Sequence, residues 1–331
     1  MFNSPFARAR RGIWLGFLLL SSVSFGQGPP NATLIERFVL PQATDPAIDD
    51  WLEPHVVYFD PGVSPRDVLF VHLPGSFGVP ENSRLILREV VRQGIPAIGL
   101  RYPNSWTVAR LCRGSSDPAC HERVRHEILT GEDRTPLVTV TPANSIEHRL
   151  LSLLRYLSAR YPGEGWERFL EGEELDWSKF IVSGHSQGGG HAAFIAQVHE
   201  VARVVMFASP GDRLGEQPAP WLRGSHATPA ERYFGFSHRR DRGWPSFERS
   251  WEALGLDAFG PPRSVDGAAP PYGNTHQLYT DALPATGSFA DAHGAVVVDR
   301  KTPRLPDGRP RFAPVWRYLC CSGRISTSSG P

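Results

Sequence analysis

Motifs that bind metal ions are missing from this chain of 331 residues. It contains no Cys-x-x-Cys and no His-Glu-x-x-His motif, and its four cysteines are Cys112, Cys120, Cys320 and Cys321. Protein zinc sites are commonly built from such closely spaced ligands. These absences argue against a metal site.

An excess of charge of one sign is also missing. The sequence has 35 Lys and Arg residues against 34 Asp and Glu residues. Two arginine-dense stretches, 237–244 and 300–311, are interrupted by acids and prolines, which is typical of a solvated surface. Proteins that bind nucleic acid or an anionic membrane usually carry a basic surplus. The composition therefore predicts neither of these as a partner.

Long apolar runs are missing except near the N-terminus. Three arginines within the first eleven residues precede an apolar run over 13–25, which ends in small residues. The run is shorter than the ~20 apolar residues that span a bilayer. This layout is typical of a secretory signal peptide, here residues 1–26. We therefore expect a secreted or periplasmic protein with no membrane span after cleavage.

An exported chain can form disulfide bonds, and four cysteines allow three connectivities. Cys112 and Cys120 lie close together within one insertion, and we predict that they form a small-loop disulfide. Cys320 and Cys321 are adjacent, so a bridge between them would be strained. Their state stays open: they bridge elsewhere, or one of them stays free.

Strand and helix patterns alternate from residue 55 onwards. Apolar runs predict strands over 55–59, 67–75, 95–102, 179–184, 203–210, 232–238 and 275–283. Helical spacing predicts helices over 81–94, 145–163, 189–201 and 312–320. This alternation predicts a mostly parallel sheet with helices on both faces.

The predicted domain organisation is a single domain over 27–331. Residues 27–50 are rich in Pro, Asn, Thr and Asp and are expected to add little to the core. Stretches near 103–144 and 211–231 interrupt the alternation. In open α/β sheets, ligands bind beyond the carboxyl ends of the strands, and we expect these insertions to lie there.

The stretch "IVSGHSQGGGHAAF" contains the motif G-x-S-x-G, centred on Ser186. It directly follows a predicted buried strand and directly opens a predicted helix. Such a sharp turn strains the serine into a positive φ and exposes its Oγ, and Gly184 and Gly188 avoid collisions there. Gly189 and Gly190 each cost a helix about 1 kcal/mol relative to alanine, which indicates either a packing or a functional reason for them.

The strand order, this turn and the His-x-Pro-Gly turn at 72–75 resemble the α/β-hydrolase superfamily, in its secreted serine esterase or lipase branch. The resemblance covers about residues 55–300. It implies a three-layer α/β/α sandwich with a mostly parallel eight-stranded sheet. It also implies a catalytic triad in the chain order serine, acid, histidine.

On this pattern Ser186 is the nucleophile and His293 the base. His293 lies in a loop after the last strand, whereas His238 is too early and His276 lies at the wrong end of a strand. The segment 295–298 is rich in β-branched residues and is expected to be extended.

Asp241 is predicted as the acid of the triad because it follows the strand 232–238. Its competitor is Asp212, which follows the preceding strand and whose turn is equally suitable. Another interpretation of Asp241 is an ion pair with the neighbouring arginines, which are Arg239, Arg240 and Arg242.

The resemblance also implies an oxyanion hole made of two backbone amides. One belongs to Gln187, directly after the nucleophile. The other lies in the turn after the third strand, where Gly75 and Ser76 are both candidates. Ser76 is the preferred donor, and Gly75 is then expected to supply backbone freedom.

These residues predict hydrolysis of carboxylic esters through an acyl-enzyme, which needs no cofactor. Trp106, Trp221 and Trp244 fall in loops near strand ends and are candidates for an apolar pocket. The substrate is either a small-molecule or a polymeric ester, and the sequence does not choose between them. The alternative is a catalytically inactive α/β-hydrolase-like protein that binds a ligand or a partner.

Overall fold

The computed structural model describes residues 33–322, so the predicted signal peptide lies outside the described residues. Nine strands, β1 to β9, form the large sheet: Ile35–Val39, His55–Phe59, Leu69–Leu73, Ala97–Gly99, Phe180–His185, Arg203–Phe207, Tyr233–His238, Arg263–Ser264 and Gln277–Thr280. The α-helices of the same part of the chain, α1 to α9, are Pro41–Thr44, Arg84–Val91, Val108–Leu111, Cys120–Thr130, Ile146–Arg160, Gln187–Val198, Trp244–Ala253, Ala292–Ala295 and Ala313–Cys321.

The strands are arranged in the order β1-β2-β4-β3-β5-β6-β7-β9-β8. Every pair from β4 to β8 in this order is parallel, while β2 is antiparallel to both of its neighbours. Helices α2 and α9 pack together over one face, and α4, α5 and α6 pack over the other. The result is the predicted three-layer α/β/α sandwich with the strand order of the α/β-hydrolase fold. The sheet has one strand more than the eight expected, because the two-residue strand β8 extends its edge.

The central strands are buried on both faces of the sheet. Every residue of β3, β6 and β7 is buried, and so is β5 except for its last residue. Strands covered on both faces have near-continuous apolar sequences, which explains why the sequence pattern located them. Two of the polar exceptions pair with each other: His72 Nδ1 lies 3.1 Å from Ser183 Oγ on the neighbouring strand.

Residues 27–50 contain a strand that the sequence pattern did not predict, although few of their described residues are buried. Residues 35–39 form β1, which pairs antiparallel with β2, and Val39 is buried. Its charged residues hid this strand from the apolar pattern. Glu36 is one of them, and it forms ion pairs with Arg84 and Arg88 of α2.

The predicted extended segment over 295–298 is also wrong. Helix α8 ends at Ala295, and Val296 keeps helical dihedral angles, with φ −76° and ψ −17°. Val296 and Val297 are fully buried, and Trp316 Nε1 donates a 2.9 Å hydrogen bond to the Val296 carbonyl. Tertiary packing therefore overrides the β propensity of these residues.

The predicted disulfide between Cys112 and Cys120 is present, with Cα atoms 5.8 Å apart. It ties the end of α3 to the first residue of α4. Cys320 and Cys321 have no disulfide partner among residues 33–322. Burial raises the pKa of the Cys321 thiol to about 12. Over the same residues, no helix combines the length and the apolar character that a bilayer span requires.

Buried histidines predict that acid destabilises the fold. Burial lowers the pKa of His55 and of His72 to about 3 and holds those of His185 and His191 well below the usual 6.5. Below about pH 6.5 these histidines therefore bind protons in the unfolded chain but not in the folded chain. Their contribution to the stability of the fold is retained above that pH and is lost as the pH falls towards 3. Each such group contributes a slope of up to about 1.4 kcal/mol per pH unit.

The free energy of unfolding, measured with urea between about pH 7.5 and about pH 5, should fall as the pH is lowered. His72→Gln should reduce the slope, since it removes one of these groups and keeps a partner for Ser183. A free energy of unfolding that does not change with pH below pH 6.5 would contradict this account.

Candidate active site

Ser186 lies in a sharp turn between β5 and α6, with φ 53° and ψ −117°. A Cβ placed on Gly184 would lie 2.2 Å from the carbonyl carbon of Gly188. A Cβ placed on Gly188 would lie 2.1 Å from the carbonyl oxygen of Leu73. Both positions therefore require glycine. The serine conformation itself costs on the order of 1–3 kcal/mol, which the surrounding sheet must offset.

The two further glycines of the stretch make space below the turn. A Cβ on Gly189 would lie 2.0 Å from Ser209 Oγ, and a Cβ on Gly190 would lie 2.2 Å from Arg125 Nη2. Both residues belong to the first turn of α6. Their helix-propensity cost is offset because the helix can approach the β6–β7 connection and the Arg125 guanidinium closely.

His293 lies in α8, and its Nε2 is 2.7 Å from Ser186 Oγ. Its backbone carbonyl accepts a 2.9 Å hydrogen bond from His185 Nε2. Burial, with a smaller contribution from His293, holds the pKa of His185 well below its usual value, so His185 is neutral. The variable residue of the G-x-S-x-G motif thus fixes the backbone that carries His293. The motif marks this position, but no sequence pattern assigned it a role.

Asp241 lies on the other side of the His293 ring, with Oδ2 2.6 Å from Nδ1. Its Oδ1 accepts a 2.8 Å hydrogen bond from the Gly243 amide, and only 5% of its side chain is exposed. The neighbouring arginines are engaged elsewhere: Arg239 pairs with Asp281, and Arg240 lies 4.1 Å from the centre of the Phe289 ring. The structure therefore places the Asp241 carboxylate against His293 and not in an arginine ion pair.

Asp212 forms its hydrogen bonds with Arg125 and Trp221 and not with His293. Arg125 donates to its two oxygens at 2.6 and 2.7 Å, and Trp221 Nε1 donates at 3.0 Å. Burial by itself would raise the pKa of Asp212, but the Arg125 charge and these hydrogen bonds hold it well below the usual range. Asp212 is therefore one half of a buried ion pair beneath the site.

The two other late histidines are likewise occupied elsewhere. His238 Nε2 donates a 2.9 Å hydrogen bond to the Ala282 carbonyl, and its Nδ1 accepts from the Arg240 amide at 3.0 Å. His276 is stacked between Phe234 and Phe259, with ring centres 4.0 and 4.2 Å away. Neither ring is directed at Ser186.

The loop after β3 passes close to Ser186. A Cβ on Gly75 would lie 2.9 Å from His185 Nδ1 and 3.3 Å from Ser186 Cβ. Gly75 does not have a positive φ, whereas Phe77 does, at 59°. The expectation that Gly75 supplies backbone freedom is therefore wrong: glycine is needed there for space.

The two residues that carry the predicted amide donors are in contact through their side chains. The Ser76 hydroxyl donates to Gln187 Oε1 at 3.0 Å, and the Val108 amide donates to the same oxygen at 3.1 Å. The amide of Gln187 belongs to the first residue of α6, so it has no acceptor within the helix. The Ser76 amide has no acceptor among residues 33–322. Both N–H groups remain able to bind an oxyanion.

A hydrogen-bond network holds the loop after β3 in place. Asn104 Nδ2 donates to the carbonyls of Gly75 and Gly78, both at 2.8 Å. Tyr102 donates to the Pro74 carbonyl at 2.7 Å. Arg101 Nη1 in turn donates to Asn104 Oδ1 at 2.5 Å. The segment 101–104 carries no recognisable motif, and the sequence analysis did not find this role.

A cavity of about 630 Å³ opens beside Ser186 and His293. Residues of both predicted insertions line it, from 107–115 and from 211–216, together with Phe247 of α7. The three candidate tryptophans are not among the lining residues. Trp221 and Trp244 are buried instead, where Trp221 binds Asp212 and the Trp244 ring centre lies 5.5 Å from that of Trp251.

Over residues 33–322, no group of three or more His, Cys, Asp or Glu side chains is arranged to hold a metal ion.

The two aspartates should differ in what their loss costs the fold. Asp212→Asn should lower the free energy of unfolding by about 3–5 kcal/mol, because it leaves the Arg125 charge buried without compensation. Asp241→Asn keeps the acceptor for the Gly243 amide and should cost less than about 1.5 kcal/mol. Urea unfolding of the two variants beside the unaltered protein measures this. Equal losses, or a larger loss for Asp241→Asn, would contradict the structural role of Asp212.

No protein-family model matches the sequence, and no curated protein matches it. Similar solved structures include a putative dienelactone hydrolase from Klebsiella pneumoniae subsp. pneumoniae MGH 78578, with 12% identity and a TM-score of 0.39 over 75% of this chain and 85% of that chain. A dienelactone hydrolase-like promiscuous phosphotriesterase from metagenomic libraries has 16% identity and a TM-score of 0.41 over 87% of this chain and 96% of that chain. A thermophilic esterase from the Planctomycetes species Thermogutta terrifontis has 14% identity and a TM-score of 0.38 over 74% of this chain and 80% of that chain. These are distant similarities.

The order of the strands in the sheet and the turn at Ser186 identify the fold as that of the α/β-hydrolase superfamily.

Proposed function

We propose that this protein is a serine hydrolase that cleaves carboxylic esters through an acyl-enzyme on Ser186. One observation carries the proposal: Ser186 Oγ, the two ring nitrogens of His293 and the Asp241 carboxylate form a continuous chain of contacts of 2.7 and 2.6 Å. The three residues come from separate segments and meet beside a cavity. The alternative, an inactive binding protein, does not explain why these three side chains are arranged in this chain of contacts.

In this proposal His293 is the general base. Its Nε2 accepts the proton of Ser186 Oγ as the oxygen attacks the substrate carbonyl. Asp241 holds the proton on Nδ1, which keeps the ring in the required tautomer, and its charge stabilises the imidazolium that forms. The neutral His185 does not compete for the proton and keeps the backbone of His293 in place.

The amides of Gln187 and Ser76 are the proposed oxyanion donors. Each such donor stabilises the transition state by about 2.7–4 kcal/mol in comparable sites. Asn104 contributes indirectly, because it orients the loop that carries Ser76. The imidazolium then protonates the leaving alcohol, and water releases the acyl group by the reverse sequence of steps. None of these steps calls for a cofactor.

We also propose export of the protein to an oxidising compartment. The disulfide between Cys112 and Cys120 supports this, since such bonds persist in secreted and periplasmic proteins. The predicted signal peptide over 1–26 is consistent with the same location.

Ser186→Ala should abolish labelling by a fluorescent alkyl phosphonate, because the reagent needs the activated oxygen. The kcat on 4-nitrophenyl esters should fall by a factor on the order of 10⁶. Ser246→Ala is the matched control: Ser246 lines the same cavity but makes no contact in the Ser186–His293–Asp241 chain. Labelling that persists in Ser186→Ala and disappears in Ser246→Ala would refute the assignment.

Asp241→Asn should lower kcat on the same ester by a factor on the order of 10⁴, because the amide favours the wrong tautomer of His293. KM should change little, since Asp241 does not line the cavity. Asp212→Asn, assayed at a temperature where circular dichroism shows it folded, should keep most of its activity. The reverse ranking of the two variants would place the acid at Asp212.

A further inference from the structure

The cavity beside Ser186 carries more positive than negative charge. Four arginines and two acids line it: Arg113, Arg125, Arg213, Arg242, Asp212 and Glu216. Apolar groups lie among them, including Phe247, Val108 and Leu214. The lining therefore combines an apolar surface with a cationic one.

The charges divide into neutralised and free ones. Arg125 is fully engaged by Asp212, with both side chains almost completely buried. Arg213 lies 3.6 Å from Glu216, which is also 3.7 Å from Arg249, and the Glu216 side chain is 80% exposed. Such exposed pairs are loosely held and weak. The Glu216 charge is therefore shared between two arginines.

Arg113 and Arg242 have no carboxylate oxygen within 4.0 Å among residues 33–322. Arg239 and Arg240, which flank Asp241 in the sequence, are held by Asp281 and by the Phe289 ring, so neither lines the cavity. Arg242 is the member of this arginine group that lines it. Two cationic side chains without an anionic partner among the described residues therefore line the same cavity as the proposed nucleophile.

Fixed backbone positions present these two side chains to the cavity. Arg113 directly follows Cys112, which also lines the cavity and is bridged to Cys120 at the start of α4. Arg242 directly follows Asp241, whose Oδ1 accepts from the Gly243 amide. The disulfide and the turn at Asp241 thus restrain the main chain next to both arginines.

From this arrangement we infer that the preferred substrates are esters that carry a carboxylate away from the scissile bond. The inference deepens the proposed ester hydrolysis and rests on it. Guanidinium groups bind carboxylates through paired charge-assisted hydrogen bonds. The apolar groups that line the same cavity suit the methylene chain that separates the two ends of such a molecule. The carboxylate belongs either to the acyl part or to the alcohol part.

The test compares matched charged and neutral esters. For the acyl part the pair is mono-4-nitrophenyl adipate and 4-nitrophenyl hexanoate. For the alcohol part it is the acetate ester of 6-hydroxyhexanoate and hexyl acetate, followed by acid release. In at least one pair, kcat/KM for the charged ester should exceed that for the neutral ester by about tenfold, the effect of about 1.4 kcal/mol of added binding. Added salt should reduce this ratio, because the arginines are exposed.

Variants assign the effect to residues. The double variant Arg113→Gln, Arg242→Gln should bring the ratio close to one. Arg110→Gln removes the same charge from an exposed position of α3 that does not line the cavity, and it should leave the ratio unchanged. A structural defect would lower both rates together and would not change the ratio.

The outcomes separate this inference from the proposed function. If neutral esters are hydrolysed and the charged ester is not preferred in either pair, the inference is wrong and the proposed function stands. If the preference persists in the double variant, the two arginines do not cause it and the inference is wrong as stated. If no ester is hydrolysed and no phosphonate label is incorporated, both fail.

Discussion

The backbone conformation of Ser186 is the constraint on which the rest of the site depends. A positive φ at a serine is unfavourable and persists only where the surroundings impose it. Here β5 must end and α6 must begin within one residue, so the helix starts against the carboxyl end of the sheet. Gly184 and Gly188 remove the atoms that would collide, and Gly190 leaves space for the Arg125 guanidinium. The turn therefore fixes both the exposed oxygen and the amide of Gln187.

The groups around this turn are held by contacts that do not take part in the proposed chemistry. His185 binds the backbone of His293, and Asn104 binds the loop that carries Ser76. The buried pair of Arg125 and Asp212 lies beneath the helix start, and Arg125 also donates to the Gln187 carbonyl at 3.3 Å. A buried ion pair adds little net stability but is costly to break.

The sequence predicted those features that leave a periodic or local signal. The buried parallel strands are continuous apolar runs, and the turn at Ser186 is a short motif with a steric cause. The sequence pattern did not predict the edge strand β1, because this strand is half exposed and charged. It did not predict α4 either, because this helix buries Arg125 and Glu127. The sequence favoured Asp241 by its strand position alone and left Asp212 as a competitor, since both follow a strand end. What separates them is the position of Arg125, about 87 residues away from Asp212 along the chain, which no local pattern contains.

The central claim is that an acyl group is carried transiently by Ser186. It is tested most directly by mixing the protein with excess 4-nitrophenyl ester, stopping the reaction with acid within the first turnovers and locating the added acyl mass by tandem mass spectrometry. The account predicts one acyl group per chain, on the peptide that contains Ser186, and none in Ser186→Ala. An acyl group on another side chain would contradict it. Turnover of the ester without any acylated protein, in both the unaltered protein and the His293→Ala variant, would contradict it as well.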